Sequence, residues 1–515
     1  MTFSLRPSSV APVDLAELTR AAEQHLVGPA PGAGTRVAGV VADNRRIIGG
    51  ELFVARPGAR HHAARFAPDA VARGAAAILT DPEGARLARA GGDPGVPLVV
   101  VDDVAAVVGP VAALAWGRPA ERLRTFALTG TNGKTTTAFM VDHVLTALGR
   151  TTGLIGTVEI RVAGTSVPAA LTTPQADELH AMLAAMAEAG VTDLVMEVSS
   201  HALMLGRVDG VTFDVAGFTH LTPDHLDLHR TVEEYFAAKA RLFAPDRSRT
   251  GVITVDDSWG ARLAADAGRA RPGQVWTLGR SADARLRIEA APPGTLVLTG
   301  PGGDVRTATD MPGAFNVANA ALAVGMVLRA GHGTEEVSRA LADHGGVSPA
   351  VPGRMEVLAE SPRVVVDFAH NTEALQTVLA ELRPTTKGRL WCVTGSAGDR
   401  DAVKRPLMGE VSARLADEVV ITDDDPHSED PATIRAQILA GARSVAGTSV
   451  VEIGDRREAI AHAVLAAAPE DTVLLAGRGH ETIQEVGDVA HHLDDREEAR
   501  AALARRGAGT GEDGA

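Results

Sequence analysis

"RTFALTGTNGKTTTAFMVDHVLTAL", residues 124–148, decides how the rest of the chain is read. A largely apolar run (124–129) meets a glycine-bounded turn (130–133) and then a segment in which Val141, Val144, Leu145 and Leu148 recur at helical spacing. Strand, turn and helix in that order make one unit of an α/β layered fold. Gly130 and Gly133 let backbone N–H groups curl around an anion, the helix N-terminus adds positive potential, and Lys134 supplies a full charge. Thr135 follows with a hydroxyl suited to Mg2+. The usual phosphate-loop spacing would put a glycine five residues before Gly133, where Leu128 stands, so the loop is a shortened variant. A tight turn without a ligand is the plainer alternative. ATP accounts for more of the residues, and the candidate nucleotide-binding set is Gly130, Thr131, Asn132, Gly133, Lys134, Thr135 and Thr136.

The same alternation recurs along the chain. "VTDLVMEVSSH" (191–201), "FDVAGFTHLTPDH" (213–225), "RVVVDFAHN" (363–371), "RLWCVTGSAGD" (389–399), "DEVVITDDDPH" (417–427) and "DTVLLAGRGHE" (471–481) each run from an apolar stretch into a polar motif where a strand should end. In open parallel sheets ligands bind beyond the carboxyl ends of the strands, so these loops are expected to converge. A length of 515 residues predicts about three domains. Gly-, Pro- and charge-rich stretches at 117–124 and 345–354 divide the chain into 1–118, 119–347 and 348–505, leaving 506–515 as an expected disordered tail.

Composition narrows the class. With 65 acidic against 50 basic residues and a net charge of −15, a broad nucleic-acid footprint is missing, and small molecules are the expected partners. Cys392 is the single cysteine, which excludes an intramolecular disulfide, cannot alone build a zinc site, and fits a reducing cytoplasm. No secretory signal and no apolar run of about 18 residues occur, so a cytoplasmic protein without membrane insertion is expected, with a monomer as the default state.

Further chemistry gathers in the central region. Glu197 ends an apolar strand, where a lone carboxylate is expensive unless it meets a cation or hydrogen-bond donors. "THLTPDHLDLHRTVEEYFAAKARLF" (219–243) supplies His225 and, fourteen residues on, Lys239 among the apolar neighbours Tyr235, Leu242 and Phe243. Singly, these read as a core histidine and a snorkelling lysine; beside a phosphate loop they read as parts of one site.

In order, "TGTNGKTTT", "EVSSHAL", "DHLDLH", "YFAAKARLF", "GAFNVANAAL", "PGRMEV", "DFAHN", "GSAGDRD", "KRPLMG" and "AGRGHE" resemble the motifs of the Mur ligases, and among these the MurE type, over roughly 40–485. "VADNRRIIGGELFVARPG" (41–58) resembles that family's UDP-binding segment and "LTTP" (171–174) its substrate loop. The resemblance implies an α/β, three-domain architecture with a central P-loop ATPase domain and a Rossmann-like C-terminal domain. It also implies ATP-driven amide formation, through an acyl phosphate, between a UDP-linked muramoyl dipeptide and a free amino acid, with ATP and Mg2+ as cofactors, in peptidoglycan precursor synthesis. Lys134, Glu197, His225 and Lys239 would be catalytic, with Thr135, Glu197, His225 and Lys239 on the metal and Lys239 carbamylated by CO2 to N6-carboxylysine. An unmodified lysine, with a pKa of about 10.4, would be an ammonium that repels Mg2+; carbamylation reverses its sign. Asn316, Arg354, Asp367 and His370 would meet the adenosine end of ATP, and Asp43, Asn44, Arg45, Thr172, Thr173, Ser199 and Arg207 the UDP-sugar.

The amino-acid pocket departs from the family. Ligases specific for diaminopimelate carry Asp-Asn-Pro-Arg where this chain has Asp424, Asp425, Pro426 and His427. An imidazole in place of a bidentate guanidinium, beside an added carboxylate, should repel a distal substrate carboxylate. Asp424, Asp425 and Glu481 would instead attract a cationic side chain such as that of lysine or ornithine, with Arg400 for the substrate carboxylate and His427 and Gly477 in the pocket. A solvated Asp-Pro turn is the plainer alternative. "DNRR" (43–46), "RHHAARF" (60–66), Leu205 and Asn371-Thr372 also depart from the family pattern. Two other readings remain open: a ligase of a specialised peptide pathway with another acceptor, and a nucleotide-dependent binding protein without ligase activity.

Overall fold

The computed structural model describes residues 5–58 and 61–509. Three parallel-rich sheets follow one another along the chain. Near the N-terminus, Val40–Val41, Leu52–Ala55, Ala77–Thr80 and Leu98–Val100 pair in that order, all parallel. The expected α/β class therefore holds from the first sheet onward.

The central sheet has eleven strands. Its parallel middle runs Thr152–Ile155, Asp193–Glu197, Arg124–Thr129, Phe213–Phe218, Ser248–Thr254, Val275–Gly279 and Leu286–Ile288, with an antiparallel strand pair added at each edge. From Arg124–Thr129 the chain first builds strands to one side and then crosses to the other, which makes that strand the switch point where a crevice opens. Helix Lys134–Ala147 leaves the phosphate loop and packs against helix Ala314–Arg329, burying Val141, Val144 and Leu145.

A six-stranded sheet closes the chain: the antiparallel edge Glu356–Glu360, then Arg363–Asp367, Thr472–Ala476, Leu390–Thr394, Glu418–Ile421 and Ser449–Glu452 in parallel. Thr472–Ala476 and Leu390–Thr394 are buried throughout, as strands covered on both faces require. A hairpin, Ile483–Val486 with Val489–His492, lies beside it. The expected tail needs correcting at its start: helix Asp495–Gly509 continues through 506–509 because Ala499 and Ala502 are buried and Arg506 donates to the carbonyls of Val464, Leu465 and Ala467. Residues 510–515 lie outside the described residues. No helix among the described residues is long and apolar enough to cross a membrane.

Candidate active site

Adjacent strands deliver the chemistry to one edge. Asp193–Glu197 and Phe213–Phe218 flank Arg124–Thr129, so Glu197 and loop 219–225 stand on either side of the phosphate loop. Gly130 has φ +144°, and a Cβ there would lie 1.8 Å from Thr219 Oγ1, so the loop can approach its neighbour only without a side chain. Lys134 Nζ donates to the carbonyls of Gly130 and Thr131 at 3.0 and 2.8 Å, and burial lowers its pKa. The loop borders a cavity of about 1260 Å³, larger than the roughly 300–1,000 Å³ of most single-ligand sites.

The Glu197 carboxylate is buried and fully engaged. It accepts from Thr135 Oγ1 at 2.9 Å, Thr157 N at 2.8 Å and Thr157 Oγ1 at 3.0 Å, so hydrogen-bond donors meet the demand that the sequence raised. The Thr135 hydroxyl and this carboxylate form an oxygen pair beside the phosphate loop, the donor chemistry that Mg2+ takes. His225 borders the same cavity; desolvation, partly offset by Asp224, brings its pKa to about 4 and keeps the ring neutral. Lys239 does not line the cavity: 1% exposed, it donates to Gly130 O at 2.7 Å and stands 4.4 Å over the Tyr235 ring. An ammonium there would not fit a magnesium ligand set; a carbamate would.

Asn316, Arg354, Asp367 and His370 all line the cavity. Arg354 stacks 4.3 Å from the Phe368 ring and reaches Thr135 Oγ1 at 3.3 Å. Burial raises the Asp367 pKa to about 6, against the pull of Arg354. Burial also lowers His370 to about 4. Thr172, Ser199 and Arg207 line the cavity. Thr173 is buried behind it, bonding Glu197 O at 2.9 Å and accepting from Ser199 N at 3.2 Å. Asp43, Asn44 and Arg45 are not among its lining: Asp43 caps the turn Asn44–Arg46 and pairs with Arg45, while Asn44 donates to Asp69 at 2.7 Å.

On the amino-acid side the structure adds a partner that the sequence did not assign. Asp424 and Asp425 already have a cationic partner inside the protein, Arg478, whose Nη1 lies 3.4 and 2.8 Å from them and which is fully buried. Asp425 also accepts from Glu485 N at 2.9 Å, and Asp423 pairs with Arg435. His427 is tied to the hairpin, its Nδ1 3.1 Å from Glu485 Oε2. Gly477, at φ +115°, lets Asp424 pack where a Cβ would stand 2.7 Å from its Oδ2. None of Asp424, Asp425, His427 and Gly477 lines the cavity, whereas Arg400 and Glu481 do. Glu481 is pushed up to about 8 by burial first and then by Asp424.

The sequence motifs assign no site role to Arg478, Thr157, Asn371 and Glu373. For Arg478 a signal existed: three adjacent carboxylates demanded a cation, and "AGRGHE" carries one at the end of a parallel strand. Thr157 and Glu373 lie in stretches without a motif, and only the fold brings them to Glu197 and Asn132.

Comparisons with known proteins agree with this geometry. Residues 128–327 match the Mur ligase middle domain, and residues 353–479 match the Mur ligase, glutamate ligase domain. The chain is 43% identical over 508 residues to the UDP-N-acetylmuramoyl-L-alanyl-D-glutamate–2,6-diaminopimelate ligase of Streptomyces coelicolor, covering 97% of this chain and 98% of the relative. It is 46% identical over 466 residues to the enzyme of the same name from Corynebacterium efficiens, covering 88% and 87%. A solved structure of a ligase with that name superposes with a TM-score of 0.65 at 29% identity, covering 96% of this chain and 99% of the other. The chain thus belongs to the Mur ligase family and is an ATP-dependent acid–amino-acid ligase of the MurE type.

Proposed function

We propose that the enzyme joins the terminal carboxylate of a UDP-N-acetylmuramoyl dipeptide to the α-amine of a diamino acid, lysine or ornithine in type, in peptidoglycan precursor synthesis in the cytoplasm. One observation carries the reading: a single cavity joins the phosphate loop and Glu197 to Glu481 and Arg400. We retain the domain boundaries near 118 and 347 and extend the third domain to 509, so that 1–118, 119–347 and 348–509 each contain one of the three sheets.

A carboxylate carbon is a poor electrophile, and phosphorylation by ATP to an acyl phosphate supplies the leaving group that the amine displaces. Lys134 and the loop amides hold the transferring phosphoryl group, and positioning with electrostatic stabilisation is most of what a protein contributes to such a step. Thr135, Glu197, His225 and a carbamylated Lys239 would hold Mg2+, which supplies charge neutralisation at the phosphoryl oxygens. Asn316, Arg354, Asp367 and His370 orient the adenosine, and Thr172, Ser199 and Arg207 the sugar side.

For the amino acid, Arg400 would take the α-carboxylate and Glu481 the distal ammonium. Two carboxylates, Asp424 and Asp425, share one arginine behind Glu481 and leave its surroundings negative. An ammonium entering there restores the ionised form of Glu481. A second reading, diaminopimelate, is favoured by the names of the relatives. Incubation with UDP-muramoyl dipeptide, ATP and each amino acid, scored by product mass, tests both. Preference for diaminopimelate overturns the distal-ammonium reading, and absence of product with every amino acid points to a different acceptor.

A further inference from the structure

Residues 367–373 read Asp-Phe-Ala-His-Asn-Thr-Glu, and helix Thr372–Leu382 begins within them. Asn371 is its N-cap, the side-chain oxygen accepting from Ala374 N at 2.9 Å. That leaves the amide nitrogen, which crosses to the central sheet and donates to Asp224 Oδ2 at 3.2 Å and to Asn132 Oδ1 at 3.4 Å. Glu373, in the first turn, takes the other end of the same amide: Asn132 Nδ2 donates to Glu373 Oε2 at 3.1 Å. The Thr222 hydroxyl also donates to that oxygen, and His220 Nε2 lies 3.6 Å from it.

Asn132 belongs to the phosphate loop, yet both ends of its side chain are held by a helix of the C-terminal sheet. Apolar packing tolerates sliding, whereas hydrogen bonds weaken steeply as distance and angle change. The bracket therefore defines one placement of helix 372–382 over the loop. Ala374, Thr377 and Val378 of that helix form part of the cavity wall, so this placement also builds the nucleotide site.

We propose that Asn371 and Glu373 are positioning residues that clasp Asn132 and hold the C-terminal sheet closed over the phosphate loop. The proposal rests on the reading of that loop as the ATP site. When only the closed form binds, apparent affinity falls with the fraction closed, so opening the clasp raises KM for ATP and leaves the saturated rate nearly unchanged.

The test uses the full-length chain with Glu373→Ala, which removes the bonds to both Asn132 and Thr222, Thr222→Val, which removes only the second of them, and the double variant. Each single variant should raise the ATP KM about ten-fold, as expected for loss of one or two hydrogen bonds to a charged group, with kcat within about three-fold. The double variant should be no worse than Glu373→Ala alone, because that substitution already removes the Thr222 contact. Glu373→Gln, which keeps the acceptor oxygen, should recover part of the loss. Small-angle scattering of the nucleotide-free Glu373→Ala chain should show a larger radius of gyration than wild type. The Glu373 side chain is 41% exposed, so its truncation is compatible with folding; should that variant not fold, Thr222→Val carries the same measurements from the opposite side. Unchanged KM and scattering, a loss confined to kcat, or multiplicative effects in the double variant would each overturn the clasp. A wild-type chain that forms no amide would remove the ligase reading instead, since scattering reads the clasp without turnover.

Discussion

Lys134 and Lys239 donate to the same oxygen: their nitrogens stand 3.0 and 2.7 Å from the carbonyl of Gly130. Two like charges at one acceptor repel each other, and burial, the larger effect, pushes the Lys239 pKa well below its ordinary value. The neutral amine is the form that reacts with CO2. Lys239→Ala should therefore lower turnover at least about 100-fold, the scale of losing one preorganised electrostatic group, and short carboxylic acids should restore part of it. Steady-state rates with and without added acid check this; full activity in the alanine variant removes the carbamate from the mechanism.

Glu481 and Asp425 should separate by function. Glu481→Gln removes the group proposed to meet the distal ammonium and should raise the diamino-acid KM about 10–100-fold. Asp425→Ala leaves Arg478 with one carboxylate fewer and should lower stability by about 3 kcal/mol in denaturant titrations, with that KM within about three-fold of wild type. A large KM effect from Asp425→Ala with no loss of stability would return that residue to the substrate.

His180 should make the fold acid-sensitive. It is fully buried, bonded through Nε2 to Asp209 O at 2.9 Å, and desolvation brings its pKa to about 4 from 6.5. Between those values the unfolded chain binds the extra proton, so stability rises with pH across the window and is lost as pH falls from about 6.5 toward 4. The full contribution is roughly 3 kcal/mol. Melting temperatures from pH 7.5 to 4.5 should fall less steeply in His180→Gln, and parallel curves would exclude the residue as a source.

Arg456 and Asp495, both with fully buried side chains, form a two-bond ion pair at 2.7 and 2.6 Å that fixes helix Asp495–Gly509 beside the amino-acid side. Asp495→Ala leaves a buried guanidinium unpaired and should cost about 3–5 kcal/mol in chemical denaturation. A loss under about 1 kcal/mol would mean that water replaces the carboxylate.

The sequence alone determined the α/β class, the strands that end in polar motifs, and the phosphate loop, because these depend on apolar periodicity and on glycine and lysine at fixed local spacing. Glu197 was legible for the same reason: a carboxylate closing an apolar strand is a local anomaly. What the carboxylates at 423–425 bind was decided only by the tertiary structure. Residues 424 and 478 lie at the ends of different strands, and strand order, which local sequence does not encode, brings Arg478 to the Asp424 side chain. Asn371 and Glu373 reach Asn132 for the same reason, since long-range packing sets which caps and loops touch, and a helix cap reads alike in sequence whether its spare amide meets water or a nucleotide loop.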